Sequence, residues 1–362
     1  MKVQRIRGPD NKESWIVLGD DFHPVREISL YTTYLVSLER SPNTIQSYAR
    51  SLKLFWEFLT HEGLLWNEIT LEKIADFIVW LRRPDPGVIS IQPKEAKRTE
   101  GTINNILSAV YGFYDFHHRL GNVHDLKGFE AKVFRGRRYK PFLHHVIKGK
   151  SVQSRLLRLK EPKKKPLTLT QEEVEKLVNA CKRYRDKFLL CLMYQTGMRV
   201  GQALGLRHSD IHSWDNEIII VPRTNNANKV RAKTRESYKL HVHKDLMALY
   251  SEYLLREYPE DLDSDYVFIN IWDGKVGHPM NQRLVNRLFE RLGKKTGIKA
   301  HPHMLRHTHA TELLRSGWDA AYVQRRLGHA DPQTTINTYI HLSDEDLKLA
   351  YQEYLEVRDR EG

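Results

Sequence analysis

The residues with the most evident chemistry are histidines and an arginine clustered late in the chain. His301, His303, His307 and His309 fall within nine residues, and Arg306 lies among them. His303 and Arg306 are three residues apart at the start of an expected helix, which places them on one helix face. Arginine offers a planar two-pronged donor to a phosphate group, and histidine offers a proton or a hydrogen bond. This segment therefore predicts a phosphate-binding site.

A metal site is the alternative interpretation of the same histidines. His303 and His307 are four residues apart, a spacing that suits two zinc ligands on one helix face. A zinc protease carries Glu after the first His, whereas Met304 stands here. Arg306 lies beside His307, and its positive charge would repel a metal ion. The sequence therefore favours phosphate, and we assign no metal ligand.

Three further segments hold residues suited to the same chemistry. Gly197 permits a tight reversal that presents Arg199 at the head of the next helix. The Leu-Gly-His run at 327–329 is typical of a helix end turned by glycine, and Tyr339 and His341 follow it. Each of these residues alone is ordinary, as a surface arginine, a helix cap or a core tyrosine. Their combination and order are not ordinary.

This order of segments resembles the tyrosine recombinase (phage integrase) family. The matching segments, in chain order, are Thr-Gly-Met-Arg at 196–199, Lys233 in an expected hairpin, His-Met-Leu-Arg-His-Thr at 303–308, Leu-Gly-His at 327–329, and Thr-Thr-Ile-Asn-Thr-Tyr-Ile-His at 334–341. The resemblance covers about residues 167–355, and the preceding part is similar to the family's helical core-binding module. A long basic segment between the two parts is similar to the transposon-encoded branch of the family, whose members insert mobile elements.

The resemblance implies that six residues cut and rejoin DNA strands. They are Arg199 and Arg306 as clamps on the scissile phosphate, His303 as general acid/base, Lys233 as proton donor to the leaving 5′ oxygen, His329 as a hydrogen-bonding partner of the phosphate or the nucleophile, and Tyr339 as the nucleophile that forms a covalent 3′-phosphotyrosine. His307 and His341 are implied as supporting residues. Two guanidinium groups would offset the charge that grows in the pentavalent transition state. The covalent ester stores the phosphodiester's energy, so neither ATP nor another cofactor is expected.

Three positions depart from the family pattern. An acid often stands where this chain has Gln202, and Trp often stands where it has His208. In the hairpin, Arg often stands where Lys239 is found. Because of the last departure, Lys229 and Lys239 are rival candidates to Lys233 for the proton donor.

The elements that must position these residues are mainly helices, with a small sheet. Apolar spacing predicts helices at the following ranges: 25–38, 43–59, 71–81, 102–116, 171–180, 186–195, 244–257, 280–296, 303–316, 320–327 and 344–357. A strand is predicted at 217–221, with 230–234 and 238–242 as segments that could pair with it. The fold class is therefore mainly α with a small antiparallel β-sheet (α+β), comprising a helical core-binding domain and a tyrosine-recombinase catalytic domain.

Domain boundaries follow from the same patterns. We expect an N-terminal extension at 1–20, the helical core-binding domain at 21–120, a basic linker or arm at 121–166 and the catalytic domain at 167–355. Thr170 and Glu173 have the spacing of a capping box, so they mark a helix start in the catalytic domain. The last predicted helix, 344–357, has an apolar stripe that would pack on its own domain or on a neighbouring subunit.

Positive charge is concentrated in the arm. The chain has 58 Lys and Arg against 45 Asp and Glu, a net charge of +13, and residues 131–166 hold thirteen Lys or Arg and one acid. Like charges at this density repel one another unless a polyanion neutralises them. We therefore expect the arm to contact DNA phosphates through these residues: Arg135, Arg137, Arg138, Lys140, Lys163, Lys164 and Lys165.

Several classes of protein are disfavoured by composition. The longest apolar run, 188–194, is too short to span a membrane. Two cysteines, Cys181 and Cys191, cannot make a disulfide framework, so a reducing, intracellular location is expected. The resemblance further implies a cytoplasmic, DNA-associated protein of a bacterium. The resemblance implies double-stranded DNA as partner, a homo-tetramer on two synapsed duplexes and accessory recombination proteins. Alternatives are a catalytically silent DNA-binding protein and a relaxing topoisomerase with the same tyrosine chemistry.

Overall fold

The chain forms two compact units, Met1–Lys163 and Lys164–Gly362. The computed structural model describes the following residues: 1–8, 13–83, 97–124, 126, 129–132, 152–155, 157–162, 167–232, 234, 236–272 and 275–328. Within these ranges the chain is mainly helical with small antiparallel sheets, so the predicted fold class is confirmed.

Four helices form the core of the first unit, close to their predicted positions. They are α1 (Arg26–Ser37), α2 (Pro42–Glu62), α3 (Leu71–Arg82) and α4 (Glu100–Arg119). Local chemistry sets their ends. At the start of α2 the Ser41 hydroxyl accepts a hydrogen bond from the Thr44 backbone N–H at 3.2 Å. The helix ends at Gly63, whose φ of +64° is readily adopted only by glycine.

An aromatic cluster holds these helices together. Phe55, Phe77 and Phe113 are fully buried. The Phe55 and Phe77 rings meet edge to face, with centroids 5.0 Å apart. Burial of each such ring stabilises the fold by about 1.5–3 kcal/mol, so the unit has a core of its own.

The first unit also contains two pairs of antiparallel strands. Strand β1 (Lys2–Arg7) pairs antiparallel with β2 (Glu13–Leu18). Both strands lie in the predicted N-terminal extension, and β1, which contains just two apolar residues, is defined by its pairing. Strand β3 (Phe129–Lys132) pairs with β4 (Val152–Arg155) inside the predicted basic arm.

The second unit contains the predicted site residues. Its helices are α5 (Gln171–Ala180), α6 (Tyr184–Thr196), α7 (Val200–Ala203), α8 (Lys244–Glu257), α9 (Gln282–Thr296), α10 (Pro302–Arg315) and α11 (Ala320–Leu327). The predicted capping box is confirmed, since Thr170 and Glu173 each bond the other's backbone N–H. The helix predicted at 344–357 lies outside the described residues. No helix within the described ranges is both long and apolar enough to span a membrane.

A three-stranded antiparallel sheet completes the second unit, in the order β5 (Ile211–His212), β6 (Glu217–Ile220), β7 (Tyr238–His241). Strands β6 and β7 confirm two of the predicted segments. The expectation of a strand at 230–234 is wrong for its described residues, and β5 is the third strand instead.

Asparagine side chains explain why this segment does not join the sheet. The Asn226 amide donates to the Val230 carbonyl at 3.0 Å. The Asn228 amide donates to the carbonyls of Leu204 (2.9 Å) and Met280 (2.7 Å). These bonds hold the chain before and at Val230 in a loop, and the Asn226 amide occupies the Val230 carbonyl, which could otherwise pair in a ladder.

Candidate active site

Helix α6 ends in a turn that only glycine fits, and this turn presents Arg199. Gly197 has φ +63°, and a Cβ atom built on it would lie 2.6 Å from Leu327 and 2.7 Å from the His309 ring. The reversal places Arg199 immediately before α7, as the sequence predicted. The residue is half-buried. Close packing against α10 and α11 therefore fixes the backbone that bears Arg199.

Arg306 lies at the point where three helices meet. It is buried in α10, with only 3% of its surface exposed. One guanidinium nitrogen donates to the Gly197 carbonyl at 2.7 Å, and the other donates to the Leu327 carbonyl at 3.0 Å. Both acceptors lie at helix C-termini, where carbonyls carry partial negative charge. Arg306 therefore ties the Arg199 turn to the end of α11.

The two predicted histidines of α10 differ in environment. His303 lies in the first turn and is exposed, whereas His307, one turn later, is half-buried. Burial, followed by the nearby His303 and Arg306, lowers the pKa of His307 to about 4. His307 is therefore neutral at pH 7 and can accept a hydrogen bond. The first turn of α10 also offers the partial positive charge of a helix N-terminus to an anion near His303.

Two polar residues that the sequence did not assign to the site connect its parts. The Arg199 backbone N–H donates to the Gln202 side-chain oxygen at 2.7 Å. The Gln202 side-chain nitrogen donates in turn to the Tyr238 hydroxyl at 3.0 Å. Gln202 had been noted only as a departure from the family pattern. Tyr238 carried no sequence signal beyond its place in a predicted strand.

Arg326 is a further cation that sequence reasoning missed. Its Nε donates to the His309 ring at 3.1 Å, and one Nη donates to the carbonyls of Gln195 (3.0 Å) and His241 (3.2 Å). Burial and the charge of Arg326 lower the pKa of His309 to about 3, so that ring is a neutral acceptor. These bonds attach α11 to α6 and β7.

The structure describes two of the three candidates for the proton-donating lysine. Lys239 is exposed and forms an ion pair with Glu217 at 3.0 Å. Because neighbouring residues of a strand point to opposite faces, it faces away from the side on which Tyr238 lies. Lys229 lies in a turn with φ +62°. The preferred candidate, Lys233, is outside the described residues, so its assignment stays a prediction.

Other assigned residues also lie outside the described ranges. These are His329, Tyr339 and His341 of the site, and Arg135, Arg137, Arg138, Lys140, Lys163, Lys164 and Lys165 of the arm. Gly328, directly before His329, is described and has φ +62°, as predicted for a helix end turned by glycine.

Metal ligands and cysteines were the remaining candidates for chemistry. Within the part of the chain that is described, no group of three or more His, Cys, Asp or Glu side chains could hold a metal ion. Cys181 is buried and Cys191 half-buried, and burial raises their pKa to about 12 and about 11. Both thiols are therefore protonated at neutral pH and pack as small apolar groups.

Two family profiles match the sequence. The profile described as Phage integrase family matches residues 168–346. The profile described as Phage integrase, N-terminal SAM-like domain matches residues 28–121. The first range contains Arg199 and Arg306, and the second contains α2 to α4 and all but the first two residues of α1.

Individual relatives agree with the profiles. Transposase A from transposon Tn554 of Staphylococcus aureus (strain Mu50) is 45% identical over 362 residues, with 99% of each chain covered. Tyrosine recombinase XerD of Halalkalibacterium halodurans is 29% identical, covering 87% of this chain and 92% of its own length.

A solved structure shows a similar fold. The Tn1549 transposon integrase in complex with transposon right end DNA has a TM-score of 0.63 at 17% identity, covering 91% of this chain and 99% of that one. At this level of identity the likeness concerns the fold.

Proposed function

This chain belongs to the phage integrase family, and we propose that it is a site-specific DNA recombinase of the transposase type. It cuts and rejoins DNA strands through a covalent 3′-phosphotyrosine and thereby integrates or excises a mobile element. Two comparisons support this proposal: a transposase similar along the whole chain, and a transposon integrase of similar fold bound to transposon-end DNA.

The observation that carries the proposal is the placement of Arg306. Its two bonds bring together the Arg199 turn and the end of α11, which are separated by more than 100 residues in sequence. His303 begins the same helix. Three of the segments whose order suggested a phosphate site, 196–199, 303–308 and the described part of 327–329, thus meet at the Arg306 guanidinium. Such preorganised cations stabilise charge that develops on a phosphoryl group.

In the proposed cleavage step, the Tyr339 oxygen attacks phosphorus and the bond from phosphorus to the 5′ oxygen breaks. The phenol loses its proton to His303, and the leaving 5′ oxygen gains one from Lys233. Arg199 and Arg306 hold the non-bridging oxygens, and His329 bonds the phosphate. Rejoining reverses the step: a 5′ hydroxyl attacks the phosphotyrosine, and the phenol recovers its proton.

Recombination requires more than one active site, since two duplexes each break and rejoin. We propose that four copies of the chain assemble on two synapsed duplexes of double-stranded DNA, with accessory recombination proteins as further partners. The basic arm contributes affinity through phosphate contacts that are independent of sequence.

Cleavage is expected to survive chelation of divalent metals. The two arginines and Lys233 take the charge-neutralising and proton-donating roles that Mg²⁺ has in other phosphoryl-transfer enzymes. The measurement is covalent adduct formation on a nicked duplex in EDTA and after Mg²⁺ is added back. Equal yields are expected, whereas loss in EDTA with recovery in Mg²⁺ would contradict the proposed chemistry.

DNA binding is expected to weaken steeply with salt. Each phosphate contact that is lost should reduce the slope of log affinity against log salt by about 0.9. Replacing Lys163, Lys164 and Lys165 with alanine should therefore flatten the slope, measured by fluorescence anisotropy. The matched control replaces the same three lysines with arginine, which keeps the charge and should keep the slope. An unchanged slope in the alanine variant would show that this triplet does not contact phosphates.

Strand exchange separates the proposed activity from its alternatives. The substrates are two labelled duplexes that carry the DNA flanking the gene. A recombinase joins the two labels in one product. A silent binding protein shifts both duplexes and forms no covalent adduct, and a topoisomerase forms an adduct and relaxes supercoils but does not join the labels. Either of these results would overturn the proposal.

A further inference from the structure

Tyr238 begins the edge strand β7 and points toward the site. It pairs in register with Ile220 of the central strand β6. Within β7, Tyr238 and Leu240 lie on the packed face, while Lys239 is exposed. Pairing of the strand therefore fixes the backbone of Tyr238, and its side chain extends toward Gln202.

A hydrogen-bonded bridge connects that hydroxyl to Arg199. Gln202 is buried, with 3% of its surface exposed, and it uses both ends of its amide. Its oxygen accepts from the Arg199 backbone N–H at 2.7 Å, and its nitrogen donates to the Tyr238 hydroxyl at 3.0 Å. The Arg199 N–H sets which way the amide points, because the opposite orientation would aim an N–H at it. The Tyr238 hydroxyl accepts from the amide nitrogen and so holds the other end of the bridge.

The same phenol packs against the end of α11. A Cβ atom built on Gly328 would lie 2.8 Å from the Tyr238 hydroxyl oxygen and 2.9 Å from two ring carbons. Residue 328 therefore has to lack a side chain for the ring to stay in place. Gly328 directly precedes His329 in the chain, so Tyr238 packs against the residue before that assigned histidine.

Positive charge surrounds this phenol. Burial raises its pKa, and it stays protonated at neutral pH. Three guanidinium groups act in the opposite direction, those of Arg306, Arg199 and Arg326. Tyr238 thus lies within electrostatic reach of both arginines assigned to the phosphate. A protonated phenol keeps the charge of the site positive, whereas an acid here would neutralise part of it.

We propose that Tyr238 is a positioning residue for strand cleavage. Through Gln202 it holds the backbone of Arg199, and through Gly328 it holds the turn that leads to His329. The proposal rests on the proposed recombinase function. It gives the Tyr238 hydroxyl a specific part, which is to keep Arg199 aligned with the phosphate while the protein binds DNA normally.

Replacing Tyr238 with phenylalanine separates the hydrogen bond from the ring. The packing on Gly328 stays and the bond to Gln202 is lost. We expect single-turnover cleavage of a nicked duplex to slow by about 10- to 100-fold, since small misplacement of a catalytic group costs up to that much. The dissociation constant for the same duplex, measured without cleavage, should change less than about twofold, because a binding contact is not removed.

A double-mutant cycle identifies the path of the effect. Gln202→Met removes the bridge from its other side. If Tyr238 acts through Gln202, the Tyr238→Phe, Gln202→Met double variant should cleave no slower than the slower single variant. Multiplicative effects in the cycle would overturn the proposal.

Tyr253→Phe is the matched control. Its hydroxyl also makes a buried bond, donating to the Val267 carbonyl at 2.9 Å, but Tyr253 belongs to α8 and lies in the hydrophobic core. This variant should lower the melting temperature and leave the cleavage rate of folded protein unchanged. If the wild-type protein cleaves DNA and Tyr238→Phe cleaves it at the same rate, the positioning role is refuted. A folded wild-type protein that forms no adduct would instead refute the proposed function.

Discussion

Tyr339→Phe is expected to abolish the covalent protein–DNA adduct while leaving folding and DNA affinity intact. The substitution removes one oxygen and almost no volume, so neither packing nor phosphate contacts should change. Without that oxygen no phosphotyrosine can form. The measurement uses a suicide duplex, nicked near the crossover, from which the cleaved fragment diffuses away and leaves wild-type protein trapped on the 3′ phosphate.

A tyrosine nearby in sequence serves as the control. Tyr322 lies on α11 and is 66% exposed, so Tyr322→Phe should give the wild-type yield of adduct. Circular dichroism and DNA affinity verify that both variants fold. An adduct that persists in Tyr339→Phe, or one that maps to a 5′ phosphate, would show that the assigned mechanism is wrong.

The helices could be predicted because their signals are local. The capping box at Thr170 and Glu173 forms as expected, and α6 stops at Gly197, which takes the left-handed conformation that glycine tolerates. Such signals depend on residues within one turn of each other. They are therefore visible without knowledge of the tertiary structure.

The strands were predicted less well because pairing is not local. Strand β1 has little apolar alternation and exists through its register with β2. Residues 230–232 have suitable apolar content, yet Asn226 and Asn228 hold the adjoining chain in a loop. Backbone pairing with another strand decides the outcome for β1, and side-chain bonds to backbone carbonyls decide it for 230–232.

The residues of the candidate site also differ in whether the sequence alone could point to them. The types and order of residues suggest Arg199, His303 and Arg306 for a phosphate site, because the chemistry of phosphate restricts the side chains that suit it, and their catalytic roles stay predictions. Gln202 and Tyr238 were not assigned, since their roles depend on a contact between α7 and β7 that no spacing in the sequence encodes.

Arg306→Lys is expected to lower both cleavage and stability, because Arg306 serves the fold as well as the phosphate. The planar guanidinium reaches the carbonyls of Gly197 and Leu327 at once, and a single ammonium group cannot reproduce that fork. Leaving one buried carbonyl without its donor should reduce the free energy of unfolding by about 1–3 kcal/mol. Loss of one preorganised donor to the transition state should slow cleavage by about 100- to 1,000-fold.

The two effects are measured separately, by urea denaturation and by single-turnover cleavage at a temperature where the variant stays folded. Arg256→Lys is the control. Arg256 is an exposed residue of α8 that forms an ion pair with Glu252, and a lysine at this position can form the same ion pair. It should change neither quantity. If Arg306→Lys is less stable but cleaves at the wild-type rate, Arg306 is not part of the phosphate site. Slow cleavage with wild-type stability would mean that the two carbonyl bonds contribute nothing to the fold, and that charge and geometry at the phosphate are all that Arg306 provides.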